Sequence, residues 1–132
     1  MFRLLKIENG RMNVPEPEYL DVTAGEAVEV GEALTLASGA LTKCAATTAP
    51  AYIAMGVKRA DDTNRTIPVC RVEKNQVYAV PVTAAPTALK IGDKVTLYAD
   101  GMQVTATTSG GVITVVDLCG ATAIGDEIIV RI

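Results

Sequence analysis

The chain has 132 residues, a net charge of −3 and no histidine. Its 12 basic and 15 acidic residues are dispersed without a basic block, so nucleic-acid binding has no electrostatic footprint. No apolar run approaches the roughly 20 residues that span a bilayer, so no membrane partner is expected.

This length fits one domain, with apolar residues at 49% but only one Phe and no Trp. The core must therefore be built from Val, Ile, Leu and Ala. Cys44, Cys70 and Cys119 are odd in number and far apart, which argues against a disulfide framework and a zinc site. All three are read as small buried hydrophobes. Met1–Glu8 is too short and too charged for a signal peptide, so synthesis and folding in a cytoplasm are expected.

In chain order, Leu4, Leu5 and Ile7 suggest a short strand, and Asn9-Gly10 a turn. Pro15 and Pro17 keep the chain extended as far as Tyr19. Residues 1–20 are read as an extended N-terminal arm ordered by a partner, and residues 21–132 as the single β domain. Leu34 and Leu36 form a strand that turns at Ser38-Gly39 and returns through Leu41–Cys44. Residues 45–54 are Ala-rich, but Pro50 and Thr47-Thr48 argue for a loop rather than a helix, and Ala51–Val57 reads as an apolar strand. Asp61–Arg65 is a polar loop. Ile67–Glu73 alternates, Lys74-Asn75 turns the chain, and Val77–Val82 comes back. Pro81 and Pro86 bracket a Thr/Ala linker. Lys94–Tyr98, Asp100-Gly101 and Met102–Thr107 read as a hairpin. Ser109-Gly110-Gly111 turns again, Val112–Leu118 is a buried strand, and Ile124–Ile132 closes the fold. No stretch carries a helical stripe with caps. The fold class is all-β, a small β-barrel or sandwich of short antiparallel strands.

One pattern recurs three times: Gly31-Glu32-Ala33-Leu34-Thr35-Leu36, Gly92-Asp93-Lys94-Val95-Thr96-Leu97 and Gly125-Asp126-Glu127-Ile128-Ile129-Val130. Each copy follows an aliphatic residue, Val30, Ile91 or Ile124. The glycine accepts a special backbone angle, the acid caps the turn, and paired aliphatics then enter the core. A catalytic cluster of Glu32, Asp93 and Asp126 is the weaker reading, because the turns already account for these acids.

The absence of His removes Ser-His and Cys-His dyads and imidazole metal sites. Sugar binding would want aromatic platforms, which the composition hardly supplies. Asp61-Asp62 lacks the spaced oxygens of a calcium loop. No catalytic residue, metal or cofactor is expected.

The order of segments resembles a family of tailed-phage capsid decoration, or head-stabilising, proteins. The resemblance is carried by Val30–Leu36 with Gly39–Lys43, by Ile53–Val57, by Leu89–Leu97, and by the ending Ala123–Ile132. It departs from the family at Val115–Gly120. The resemblance implies a structural virion protein with no active site, seated on the outer surface of the expanded capsid. Its partner would be the major capsid protein, and copies would associate as homotrimers. The arm would lie along the shell, with Leu4, Leu5, Ile7 and Tyr19 as anchors. The competing readings are a fibre base or tail module, and a small ligand- or carbohydrate-binding β module.

Overall fold

The computed structural model describes residues 1–8 and 15–132, and every regular element in them is a β-strand. Among the described residues no helix is long and apolar enough to cross a membrane. The strands are β1 (Arg3–Ile7), β2 (Glu18–Asp21), β3 (Ala33–Ala37), β4 (Ala40–Lys43), β5 (Tyr52–Ala54), β6 (Thr66–Arg71), β7 (Gln76–Pro81), β8 (Lys94–Val95), β9 (Ile113–Asp117) and β10 (Glu127–Arg131). They form two antiparallel five-stranded sheets, β1-β7-β10-β9-β8 (sheet A) and β2-β6-β5-β3-β4 (sheet B). Neither closes into a barrel by a ladder. Single bridges do join edges: Val22 to Leu41 between the ends of β2 and β4, and Ala46 to Leu97 between the two halves.

Two apolar cores explain the strand patterns. Tyr78, Val80, Ile128, Val130, Ile113 and Val115 from sheet A pack against Ala33, Cys44 and Ile53 from sheet B. Sheet B also surrounds a second core of its own, made by Leu34, Leu41, Tyr52, Ala54, Ile67 and Val69 with Val22 and Val28. Because both faces of β5 are buried, its three residues show no polar alternation. In β3 the neighbours Ala33 and Leu34 serve opposite cores, and Leu36 is left exposed.

The turns follow local chemistry. Ser38 and Gly39 both have positive φ, 50° and 81°, as a two-residue hairpin of the right twist requires. The repeated motif is a capped turn in all three copies. Gly31, Gly92 and Gly125 have φ of 77°, 93° and 87°. The acid after each accepts the N–H three residues upstream: Glu32 from Glu29 at 2.9 Å, Asp93 from Lys90 at 2.8 Å and Asp126 from Ala123 at 2.9 Å. Leu34, Val95 and Ile128 then enter the cores. Val30, Ile91 and Ile124 sit exposed at the turn tips.

Three features differ from the sequence reading. First, much of the segment expected to be a partner-ordered arm is built into the domain. Strand β1 pairs with β7, and β2 pairs with β6. Phe2 is buried and meets Tyr78 edge-on, with ring centroids 6.2 Å apart. Two ion pairs also reach across β7 from β1 and its end to β10, Arg3 to Glu127 at 2.6 Å and Glu8 to Arg131. The Asn9-Gly10 turn lies outside the described residues. Second, the chain reverses at Lys74-Asn75 but passes to the other sheet, so β6 and β7 are not a hairpin. Buried Gln76 supports this crossing: its Oε1 accepts the Glu73 N–H, and its Nε2 donates to the Arg71 carbonyl. Third, Cys44 and Cys70 are buried, but Cys119 is exposed. It occupies a left-handed position (φ 51°) in a turn where Asp117 accepts its N–H.

Lys58 is an unexpected buried cation. Its Nζ donates to the carbonyls of Glu26 and Arg59, each at 2.9 Å, and ties two loops together. Replacing it with Met keeps the stem but strips both carbonyls of their donor. We expect Lys58→Met to lose about 2 kcal/mol of stability. Urea unfolding should show a lower midpoint at unchanged slope.

Candidate functional site

An apolar open surface lies at the seam of the two sheets. In β6, Ile67 and Val69 enter the second core, so Pro68 and Cys70 face the other way, toward sheet A. Tyr19 is in register with Pro68, and the Met55 N–H donates to the Pro68 carbonyl at 2.9 Å. Tyr19, Pro68 and Met55 therefore form one row across sheet B. This row extends the face that sheet A covers elsewhere. Pro68 is tolerated in an internal strand because its missing N–H would face Met55, one residue past the end of β5 at Ala54. Gly56 is required beside it, since a Cβ there would lie 2.8 Å from the proline ring.

Next to this ledge is a hollow of about 440 Å³. Its walls are Phe2 and Leu4 from β1 and its lead-in, Ile53 and Cys70 from sheet B, and Tyr78 from β7. Met1, Val30 and Met55 form its rim. Fractional exposure is 67% for Tyr19, 50% for Met1, 44% for Val30 and 40% for Met55. Such side chains are normally exposed singly, whereas here ledge and rim adjoin.

The polar groups near the floor are committed to one another. The Tyr78 hydroxyl donates to Gln76 Oε1 at 2.6 Å, and the Cys70 thiol donates to the Arg71 carbonyl at 3.4 Å. Burial pushes the Tyr78 phenol far above its ordinary range and raises the Cys70 thiol. Burial also pushes the Cys44 thiol up to about 11. These thiols stay protonated at neutral pH and are poor nucleophiles. The hollow thus offers shape and apolar area rather than acid–base chemistry. Glu32, Asp93 and Asp126 each close their own turn, and among the described residues no group of three or more His, Cys, Asp or Glu could hold a metal.

The four anchor residues named from sequence are not brought together. Leu4 faces inward and lines the hollow. Leu5 is exposed on the opposite face of sheet A, at a second hollow of about 310 Å³ shared with Val77, Val116 and Ile129. A bulge between Leu4 and Lys6 separates the two leucines. Ile7 is half-buried opposite Gln76, and Tyr19 stands on the ledge. Sequence reasoning missed Met55 and Val30. Their available signals were the glycines that follow them: Gly56 lies just past the end of β5, and Gly31 places Val30 at a turn tip.

No known family model, curated protein or solved structure matches the chain.

Proposed function

We propose that the protein is a non-catalytic structural component that docks on the outer surface of a phage capsid and stabilises the expanded head. The ledge of Tyr19, Pro68 and Met55 beside the seam hollow carries this reading. It supplies a contiguous apolar surface on a rigid sheet, with a recess for an anchoring side chain. The resemblance of Val30–Leu36 with Gly39–Lys43, of Ile53–Val57, of Leu89–Leu97 and of Ala123–Ile132 to capsid decoration proteins supports the major capsid protein as partner and a homotrimer as the assembly. It supports a place on the virion surface after synthesis in the host cytoplasm. Strand β1 is an edge of sheet A and, among the described residues, pairs with β7 alone. That edge offers a second mode of attachment through strand addition.

The ledge and the edge make separable predictions. Tyr19→Asp with Met55→Asp should weaken shell binding by at least about tenfold while leaving the fold intact, since both side chains are exposed. Leu5→Asp probes the β1 side and should have a smaller effect. Ile7 is unsuitable as a probe because it is half-buried. Equilibrium binding of each variant to expanded, undecorated shells distinguishes the two surfaces. An unchanged affinity for the double variant would remove the ledge from the interface.

The second reading is a small-ligand module, and the hollow is the observation in its favour. Its volume suits a small apolar molecule. Saturable binding of an apolar fluorophore, abolished by Val30→Asp, would support that reading.

A further inference from the structure

The hydrogen bonds around the seam hollow restrict what it can hold. Of the residues that line it, only Arg3, Cys70 and Tyr78 carry a polar side-chain group other than a thioether. Each of the three is engaged. Arg3 is paired with Glu127 at 2.6 Å. The Tyr78 hydroxyl donates to Gln76 Oε1, which also accepts the Glu73 N–H at 2.9 Å. The Cys70 thiol donates to the Arg71 carbonyl, and Gln76 Nε2 donates to the same oxygen at 3.1 Å.

The main chain of the walls is occupied too. The Phe2 N–H donates to the Gly31 carbonyl and the Gly31 N–H to the Ala54 carbonyl, each at 2.8 Å. The Ala54 N–H donates to the Glu32 carbonyl at 2.9 Å, and the Met55 N–H is taken by Pro68. Leu4 and Ile53 lie in strand ladders, opposite Tyr78 and Cys70. Among the described residues, the buried side-chain polar atoms without a hydrogen bond are Glu32 Oε1 and Arg131 Nε, and neither residue lines the hollow. Ligand sites usually orient their ligand with a few placed polar groups. Here the walls hold no side-chain donor or acceptor in reserve.

We propose that the seam hollow takes a small hydrocarbon group that enters end-on and carries at most one polar end, left in water at the rim formed by Met1, Val30 and Met55. This ligand class rests on the small-ligand reading of the hollow. The volume of about 440 Å³ exceeds the roughly 150 Å³ of a cavity that admits benzene, so a fused bicyclic ring has room. A hydroxyl at the mouth keeps its water. One carried to the floor loses its water and finds the Tyr78, Gln76 and Cys70 groups already bonded. The hollow on the other face of sheet A is the contrast, because the charged Lys6 and Asp117 are among its lining residues.

Titration of the full chain with naphthalene, 2-naphthol and 2,6-dihydroxynaphthalene, followed by NMR, tests the ligand class. Naphthalene and the mono-alcohol should bind saturably and within about threefold of each other, since one hydroxyl stays at the mouth. The shifts should fall on Phe2, Leu4, Ile53 and Tyr78, and not on Val116 and Ile129 of the other hollow. The diol cannot keep both hydroxyls in water and should bind at least about tenfold more weakly. A diol that binds as tightly as naphthalene overturns the hydrocarbon class and leaves the hollow a ligand site of other chemistry. No saturable shift at the four wall residues with any of the three compounds overturns both the class and the small-ligand reading.

Discussion

Phe2→Ala is expected to lose about 3 kcal/mol of folding free energy, the low end of the range for a buried aromatic truncated to alanine. The side chain is almost fully buried, packs edge-on against Tyr78 and walls the seam hollow. Truncation would enlarge that hollow and leave the Tyr78 ring without its partner. The low end applies because the hollow is open and water can enter the space. Leu5→Ala, three residues along but on the exposed face, should change stability by less than about 0.5 kcal/mol. Paired urea unfolding curves check both values. A loss below about 1 kcal/mol for Phe2→Ala would mean that the first residues contribute little to the fold and serve as an arm after all.

Gly111→Ala should be at least as damaging, with a loss of about 3 kcal/mol and a fall in melting temperature of about 10 °C. The reason is space rather than backbone angle. A Cβ at Gly111 would lie 2.2 Å from the Lys94 carbonyl oxygen and 2.7 Å from the Val95 nitrogen. Both are main-chain atoms of β8, and neither can swing away. Relief requires β8 to move off β9, which breaks the Val95–Ile113 pairing and the bond from the Val112 N–H to the Val95 carbonyl. Its neighbour is an internal control. Gly110 has φ +72°, and its added methyl would meet only the Thr47 side chain. Gly110→Ala should therefore lower the melting temperature by about 4 °C. Equal effects at the two positions would show that β8 yields easily.

The turns and strands were largely legible because their signals are local. Ser38-Gly39 and the three Gly-acid motifs carry their own stereochemistry, and the structure places positive φ and carboxylate caps where those residue types require them. What alternation does not carry is the partner. Cys70 and Val77 each sit in a well-patterned strand, yet nothing between them reveals that the chain changes sheets at Lys74-Asn75. What the N-terminal segment pairs with is illegible for a related reason. Prolines 15 and 17 report an extended backbone, which suits a free arm and an incorporated strand equally well. The burial of Phe2 depends on Tyr78, Gly31 and Ile53, all remote in sequence. The ledge was hidden similarly: Met55 looks like the continuation of an apolar strand until β5 is seen to stop at Ala54. Tyr19 and Leu4 were singled out, but only the pairing of β2 with β6 brings Tyr19 beside Met55.

Co-sedimentation of the purified protein with expanded, undecorated phage shells addresses the proposed docking role most directly. The proposed function requires saturable binding at a fixed ratio to the capsid protein, strongly reduced by Tyr19→Asp with Met55→Asp. A folded protein that stays in the supernatant at every concentration would contradict the docking role.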